Sequence, residues 1–271
     1  MNRIRAINRR RPLAGRSILV TRPRAQSRSL CDRLRALGAR VVVIPTIEIV
    51  PPPPGGAFDR AVRRVTQYDW VILTSANGAR ACVSRAAALG LDLRSPRHLR
   101  WAAVGPATAA VLRRARIHVA MIPSRFLTEA IARELPDVKG RRILLARTDV
   151  ASPALVDALR ARGAKVDVVA AYRTVIGPRG AGPRVKRVFS SGGVDVVIFT
   201  SPSTVRGLLR LLGAGRAALK QVTTVCIGPV TAAAVKDAGL RPGAVAREYT
   251  IDGLIEALLE VSERGKNRSA R

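Results

Sequence analysis

Polar side chains stand directly after several apolar segments of this 271-residue sequence. Most of them are hydroxyls, at Thr74, Ser75, Thr108, Thr200, Ser201, Ser203 and Thr231. Arg22, Arg147 and Tyr172 stand in comparable positions. Hydroxyl and guanidinium groups are suited to hold an anionic ligand. Taken singly, each hydroxyl is equally explained as a helix cap, each arginine as a surface residue and Tyr172 as a packed strand residue.

Several well-known catalytic motifs are missing from the sequence. It has no Gly-x-x-x-x-Gly-Lys-Ser/Thr phosphate loop, no Gly-x-Gly-x-x-Gly fingerprint after the first strand, and no Gly-x-Ser-x-Gly nucleophile elbow. The two histidines, His98 and His118, have no cluster of other ligand residues near them in the sequence, and no carboxylate pair suggests acid-base catalysis. We therefore expect neither a metal site nor a cofactor.

Internal repetition is the most informative feature of the sequence. The matching segments are residues 15–22 with 140–147, 68–75 with 194–201, 101–109 with 224–232, and 126–129 with 249–252. Each repeat reads as alternating strands and helices. The polar residues recur at equivalent positions of both repeats, which favours a shared ligand-binding role over isolated helix caps.

The predicted strands are continuous apolar runs, such as Val71-Ile72-Leu73 and Val196-Val197-Ile198. Continuous hydrophobicity indicates strands that are covered on both faces, as in parallel sheets flanked by helices. We therefore predict an α/β fold of two similar domains, each a parallel sheet flanked by helices. Several helices would begin just after a strand, for example at Ser201-Pro202, so their free N–H groups face an edge that binds anions.

The net charge of +30 leaves three interpretations open. The charge is spread along the chain, which favours a solvated surface over non-specific attraction to polyanions, and both over dedicated nucleic-acid binding. Residues 1–15 and 265–271 are basic and are predicted to be disordered tails. A basic cleft would also suit a substrate that carries many carboxylates.

Cysteine usage and hydropathy indicate a cytoplasmic protein. Cys31, Cys82 and Cys226 are widely spaced, which is typical of reduced thiols in a reducing compartment. No apolar run approaches the roughly 20 residues that a membrane-spanning helix needs. The basic start of the sequence lacks the apolar stretch of an export signal.

Six short motifs occur in an order that resembles the uroporphyrinogen-III synthase family. They are residues 20–23 (Val-Thr-Arg-Pro), 72–75 (Ile-Leu-Thr-Ser), 104–109 (Val-Gly-Pro-Ala-Thr-Ala), 171–174 (Ala-Tyr-Arg-Thr), 199–203 (Phe-Thr-Ser-Pro-Ser) and 227–232 (Ile-Gly-Pro-Val-Thr-Ala). Gln26 and Asn77 stand near the first two motifs. The resemblance extends from about residue 16 to 260.

The resemblance implies two α/β domains that are joined by a two-stranded connector, with the active site in the cleft between them. The first domain would be discontinuous, with residues 16–46 and 176–264, and the second would span residues 50–171. Residues 47–49 and 172–175 would form the connector strands. Prolines and glycines near both connectors agree with two chain crossings instead of one.

The resemblance also implies the reaction. The substrate would be hydroxymethylbilane, which carries eight carboxylates, and the product uroporphyrinogen III, formed with loss of water and inversion of ring D. By similarity, Tyr172 would assist departure of the substrate hydroxyl. Thr231, which matches the threonine of a Gly-x-x-Thr motif of the family, would be the second catalytic residue. Thr74, Ser75, Thr108, Thr200, Ser201, Ser203, Arg22 and Arg147 would bind substrate. Such an enzyme acts mainly by positioning, without a cofactor.

Two other hypotheses remain open at the level of sequence. One is a catalytically inactive homologue that acts as a regulatory or nucleic-acid-binding protein through its arginine-rich surface. The other is an α/β enzyme for phosphorylated or carboxylated small molecules, for which the sequence lacks a phosphate loop. For the synthase we expect a monomer, a transient contact with hydroxymethylbilane synthase, and only non-specific attraction to nucleic acid.

Overall fold

The computed structural model describes residues 11–94, 98–149 and 151–269, with side chains in the last helix described as far as Arg264. The elements in chain order are β1 (Ser17–Val20), α1 (Arg28–Ala36), β2 (Arg40–Val43), β3 (Ile47–Val50), α2 (Ala57–Arg63), β4 (Trp70–Leu73), α3 (Ala76–Ala88), β5 (Arg100–Ala103), α4 (Pro106–Arg114), α5 (Thr128–Glu134), β6 (Arg142–Thr148), α6 (Ala154–Ala161), β7 (Lys165–Ile176), α7 (Ala181–Ser190), β8 (Val196–Phe199), α8 (Pro202–Leu212), β9 (Thr223–Cys226), α9 (Pro229–Asp237), β10 (Ala244–Val245) and α10 (Ile251–Ser269). Short 3₁₀ segments lie at Arg24–Gln26, Val65–Gln67 and Gly213–Gln221.

The chain forms two compact units. Unit 1 comprises Met1–Glu48 and Val175–Arg271, and unit 2 comprises Ile49–Thr174. The chain therefore passes between the units twice, once within β3 and once within β7.

Unit 1 contains a five-stranded sheet in the order β10-β9-β8-β1-β2, and every neighbouring pair is parallel. Side chains alternate between the two faces along β1. Ile18 and Val20 pack in one apolar cluster with α1 and α10, and Leu19 packs in a second cluster with α7 and α8. Both faces are thus covered, as the continuous apolar runs predict.

Unit 2 contains a five-stranded sheet in the order β3-β7-β6-β4-β5. The pairs β7-β6, β6-β4 and β4-β5 are parallel. Val71 and Leu73 of β4 pack in one cluster with α2, α3 and α4, while Trp70 and Ile72 pack in a second cluster with α5 and α6. The prediction of two α/β units, each with a parallel sheet flanked by helices, is confirmed.

The two sheets repeat the same strand pairing residue for residue. In unit 1, Ile18 of β1 pairs with Val41 of β2 and Val196 of β8. In unit 2, the equivalent Ile143 of β6 pairs with Val166 of β7 and with the first residue of β4. The sequence repeat is therefore a repeat of three-dimensional structure.

The start of the described chain is ordered, in contrast to the prediction of a tail through residue 15. Leu13 is fully buried in the unit 1 core, and its N–H donates to the carbonyl of Leu37 at 3.0 Å. Hydrophobic burial of this single leucine anchors residues 11–15 in an otherwise basic segment. Residues 1–10 of the predicted tail lie outside the described residues.

The last helix also differs from the sequence prediction. α10 continues to Ser269, past residue 265, where the predicted tail would start. Residues 266–269 contain neither a glycine nor a proline that would end the helix. Residues 270 and 271 lie outside the described part of the chain.

Close contacts with helices fix the chain segments that follow β2 and β3. In unit 1, a Cβ on Gly207 of α8 would lie 2.3 Å from the carbonyl oxygen of Thr46, so only glycine permits this approach. In unit 2, Arg85 of α3 pairs with the buried Asp59 of α2 at 3.1 Å and donates to the carbonyl of Pro52 at 3.1 Å. The proline-rich segment after β3 is thus held against α3.

None of the helices in the described ranges is long and apolar enough to cross a membrane.

Candidate functional site

The carboxyl edge of the unit 2 sheet brings Thr74 and Ser75 to the start of α3. β4 ends at Leu73, the chain turns through Thr74, and Ser75 is the N-cap of α3 in an extended conformation. The Ser75 hydroxyl accepts the N–H of Gly78 at 3.0 Å, which satisfies one of the free donors of the first turn. Earlier N–H groups of that turn keep their capacity to bind an anion.

Tyr172 of β7 reaches the same edge because of a register shift in the sheet. Arg147 pairs with Ala170, but Thr148 pairs with Tyr172, so Ala171 is an extra residue in β7. As a result Ala171 and Tyr172, although consecutive, are both buried in the same apolar cluster. An extra residue of this kind redirects the following side chain, and such shifts are common beside active sites.

The hydroxyls of Tyr172 and Ser75 form a pair. Their oxygen atoms lie 2.9 Å apart, and Tyr172 is only 6% exposed. Burial raises the pKa of the Tyr172 hydroxyl above its ordinary value, while the bond to Ser75 and the charge of Arg80 act in the opposite direction, and Asp149 adds to the rise. The phenol is therefore protonated at neutral pH and can serve as a proton donor.

The carboxyl edge of the unit 1 sheet carries the equivalent hydroxyls. Thr200 follows β8, and Ser201 caps α8 by accepting the N–H of Thr204 at 3.3 Å. The Ser201 and Ser203 hydroxyls lie 3.0 Å apart. In the sequence repeat the residue that corresponds to Tyr172 is Ile47, which is buried and lies in β3. The repeat therefore copies the hydroxyls of Ser75 but not the phenol of Tyr172.

Thr108 and Thr231 occupy the first turns of α4 and α9. Each follows a Gly-Pro pair, with the glycine as N-cap and the proline as the first helical residue. Both threonines are 3% exposed. Neither hydroxyl has a hydrogen-bond partner among the residues that the structure describes, which leaves both available to a ligand at the edge of their sheet.

An aromatic ring packs on the glycine before each of these threonines. A Cβ on Gly105 would lie 3.3 Å from Cβ of Phe126, and one on Gly228 would lie 3.1 Å from Cδ1 of Tyr249. Any larger residue would push the ring away from the loop. The sequence repeat of residues 126–129 and 249–252 thus has a packing role that the sequence alone does not reveal.

The two predicted arginines differ in their surroundings. Arg147 of β6 is 8% exposed, and its guanidinium donates to the carbonyls of Ser152 at 2.7 Å and Ala151 at 3.5 Å. Its charge therefore fastens the loop between β6 and α6. Arg22 follows β1 and is half-buried, and its carbonyl accepts the Ser27 hydroxyl at 3.3 Å.

Arg80 belongs to this edge of unit 2 but is not among the residues predicted from the sequence. It lies on α3, donates from Nη2 to Oδ1 of Asn77, and interacts electrostatically with Tyr172. The sequence does contain a signal that could have identified Arg80: it lies three residues after Asn77 on the helix that Ser75 caps.

Comparison with known proteins shows to which protein family the chain is related. Residues 29–256 match the family described as Uroporphyrinogen-III synthase HemD. The chain belongs to the uroporphyrinogen-III synthase family. The synthase of Synechococcus elongatus is 33% identical over 254 residues, which cover 91% of this chain and 96% of that protein.

Two further proteins are similar to this chain, one in sequence and one in fold. The porphyrin biosynthesis protein HemD of Ruminiclostridium josui is 34% identical over 93% of this chain, which spans 50% of that longer protein. A mutant uroporphyrinogen III synthase of Thermus thermophilus has a similar fold, with a TM-score of 0.68, 22% identity and coverage of 92% of this chain and 100% of that one. The comparisons support the synthase hypothesis and give no support to an inactive homologue.

Proposed function

We propose that this chain cyclises hydroxymethylbilane to uroporphyrinogen III, with Tyr172 as the proton donor for the first step. The observation that carries this proposal is the buried, protonated phenol that is paired with Ser75 at the carboxyl edge of unit 2. Phenols and hydroxyls suit a reaction that needs one proton placed on a leaving group and no strong nucleophile.

The proposed first step is ionisation of the substrate. The Tyr172 O–H gives its proton to the terminal hydroxyl of the substrate. The carbon–oxygen bond then breaks and water departs, so that the substrate becomes an azafulvene cation. Ser75 holds the phenol oxygen in place and stabilises the phenolate that forms. The substituted carbon of ring D then attacks to form a spiro intermediate, which fragments and recloses with ring D inverted. The proton that the substrate loses in the final closure restores Tyr172.

The remaining hydroxyls hold the substrate in our proposal. Thr74, Thr108, Thr200, Ser201 and Ser203 each stand where a helix begins after a strand. Free N–H groups and hydroxyls at such positions bind carboxylates, and the substrate has eight of them. We assign Thr231 the role of orienting the reacting end, since it lies in the first turn of α9 at the carboxyl edge of the unit 1 sheet.

Positioning is the main contribution of the protein in this mechanism. The bilane closes without inversion when it is free in solution, so the enzyme must hold its two ends in the geometry that leads to the spiro intermediate. The two arginines have unequal parts: Arg22 remains a candidate carboxylate ligand, whereas the guanidinium of Arg147 is engaged by loop carbonyls. Arg147 therefore supports the site through its loop.

The proposed setting follows from the reaction. We infer a cytoplasmic monomer that receives its unstable substrate from hydroxymethylbilane synthase through a transient contact. Three free buried cysteines are consistent with a reducing compartment. The high positive charge would attract polyanions, nucleic acid included, without sequence preference.

An isomer assay tests the proposed function. Hydroxymethylbilane is generated in place from porphobilinogen by its synthase, this protein is added, and the oxidised I and III isomers are separated by chromatography. We expect a shift to the III isomer in proportion to the amount of protein. If folded protein leaves only the I isomer, the enzymatic proposal is wrong and the inactive, regulatory hypothesis takes its place.

A further inference from the structure

A positively charged side chain, Arg80 of α3, lies near the Tyr172 hydroxyl. Arg80 lies five residues after the Ser75 N-cap and is exposed, with its guanidinium oriented by the Asn77 side chain. Packing lowers the pKa of Arg80 from its ordinary value, and Tyr172 counteracts this effect. No ion pair to the guanidinium is found among the described residues. A guanidinium without a carboxylate partner keeps N–H donors for an anionic ligand.

The other basic candidate near Tyr172 is already engaged. Arg147 is buried, and it uses its guanidinium to hold carbonyl oxygens of the loop after β6. Binding of an anion by Arg147 would compete with these two hydrogen bonds to the loop. Arg80, in contrast, uses one side-chain bond to a neighbour on its own helix and keeps further donors free.

We propose that Arg80 binds a carboxylate of the substrate beside the Tyr172 phenol, and so fixes the reacting end of the bilane at unit 2. The ligand class is the acetate or propionate side chain of a pyrrole ring. This inference rests on the proposed function and adds a substrate-binding residue to it. The N–H groups at the start of α3 complete the anion site, because the helix dipole and the guanidinium favour the same charge.

The comparison of the two repeats gives this cation a specific role. Arg206 of α8 follows the Ser201 N-cap at the same spacing, but Ile47 replaces Tyr172 in that repeat. The sequence repeat therefore copies Arg80 but not Tyr172. Arg80 stands where a substrate end would be both anchored and protonated.

Binding and turnover of Arg80 variants test the inference. Uroporphyrin III, which has the same eight carboxylates, is titrated by fluorescence into wild type, Arg80→Gln, Arg80→Lys and the control Arg113→Gln. The control removes one exposed charge from the end of α4 in the same unit, away from the carboxyl edge. KM and kcat for the bilane are measured in parallel, with unfolding midpoints to verify folding.

We expect Arg80→Gln to weaken porphyrin binding and raise KM about tenfold or more, because one charge-assisted hydrogen bond is lost. kcat should fall less than in a Tyr172 variant. Arg80→Lys should recover part of the binding, because lysine keeps the positive charge but lacks the paired N–H donors of a guanidinium. Arg113→Gln should resemble wild type. Equal binding by folded Arg80→Gln and wild type would overturn the inference, and so would an equal loss in the control. A wild type that forms no III isomer would instead refute the proposed function.

Discussion

Substitution of Tyr172 by phenylalanine removes one oxygen atom from the proposed proton donor. The ring stays in the same apolar cluster, so packing around β7 and α3 is preserved. Ser75 keeps the N–H of Gly78 as a donor to its oxygen, and because the residue is half-buried, water can replace the phenol as its other partner. The change in stability is therefore small, about 1 kcal/mol for one neutral hydrogen bond.

The expected change in catalysis is much larger than the change in stability. A positioned general acid contributes roughly 100-fold or more to a rate, so kcat should fall by about this factor. KM should change little, since the carboxylate-binding groups remain. In the wild type, burial raises the pKa of Tyr172, so the proton-donor form persists through neutral pH. The alkaline loss of kcat should then lie above the ordinary tyrosine pKa of about 10.

Tyr68 offers a matched control in the same unit. It is also buried, at 3% exposed, and its hydroxyl bonds to Asp167 at 2.8 Å, but it precedes β4 and so lies at the opposite end of the strand. Tyr68→Phe should lower stability by a similar or larger amount without loss of kcat. An unchanged kcat in Tyr172→Phe, or equal losses in both variants, would refute the role of Tyr172.

Three further predictions concern stability and reactivity. Arg85→Met should lower the free energy of unfolding in urea by about 3 kcal/mol, because Asp59 keeps a buried charge without its partner. Gly207→Ala should also cost about 3 kcal/mol, since its Cβ would overlap a backbone carbonyl, whereas Gly215→Ala, with open space around it, should cost far less in the same assay. Cys82, whose pKa burial raises to about 12, should resist thiol reagents until the protein unfolds, and its contribution to stability should be lost as pH rises toward that value. Rapid labelling of Cys82 in the folded protein, or equal unfolding free energies for a variant and wild type, would contradict the respective prediction.

Much of the fold could be predicted because the signals are local. Continuous apolar runs identify strands buried on both faces, and β1 and β4 are buried throughout as that pattern requires. Hydroxyls before a helix predict caps, and Ser75 and Ser201 are indeed N-caps. The sequence repeat predicts two similar units because equal sequence patterns place equal side chains on equal faces.

Features that depend on distant parts of the chain could not be predicted in the same way. The extra residue Ala171 interrupts the alternation of β7 without any glycine or proline to mark it. The carbonyls that bind Arg147 belong to a loop whose path follows from tertiary packing. The burial of Leu13 likewise depends on a partner, Leu37, at the end of the first helix. The roles of the proposed site residues stay predictions until the variants are measured.

The chain order of the two units has a consequence for synthesis on the ribosome. Unit 2 is one continuous segment and is complete when Thr174 has emerged, whereas β1 and β2 of unit 1 are made first and must wait for β8 to supply the next strand of their sheet. During that interval the edge of β1 that later pairs with β8 has no native partner, which exposes apolar strand to other chains. A chain that stops soon after Thr174 therefore contains all of unit 2 but only part of the unit 1 sheet.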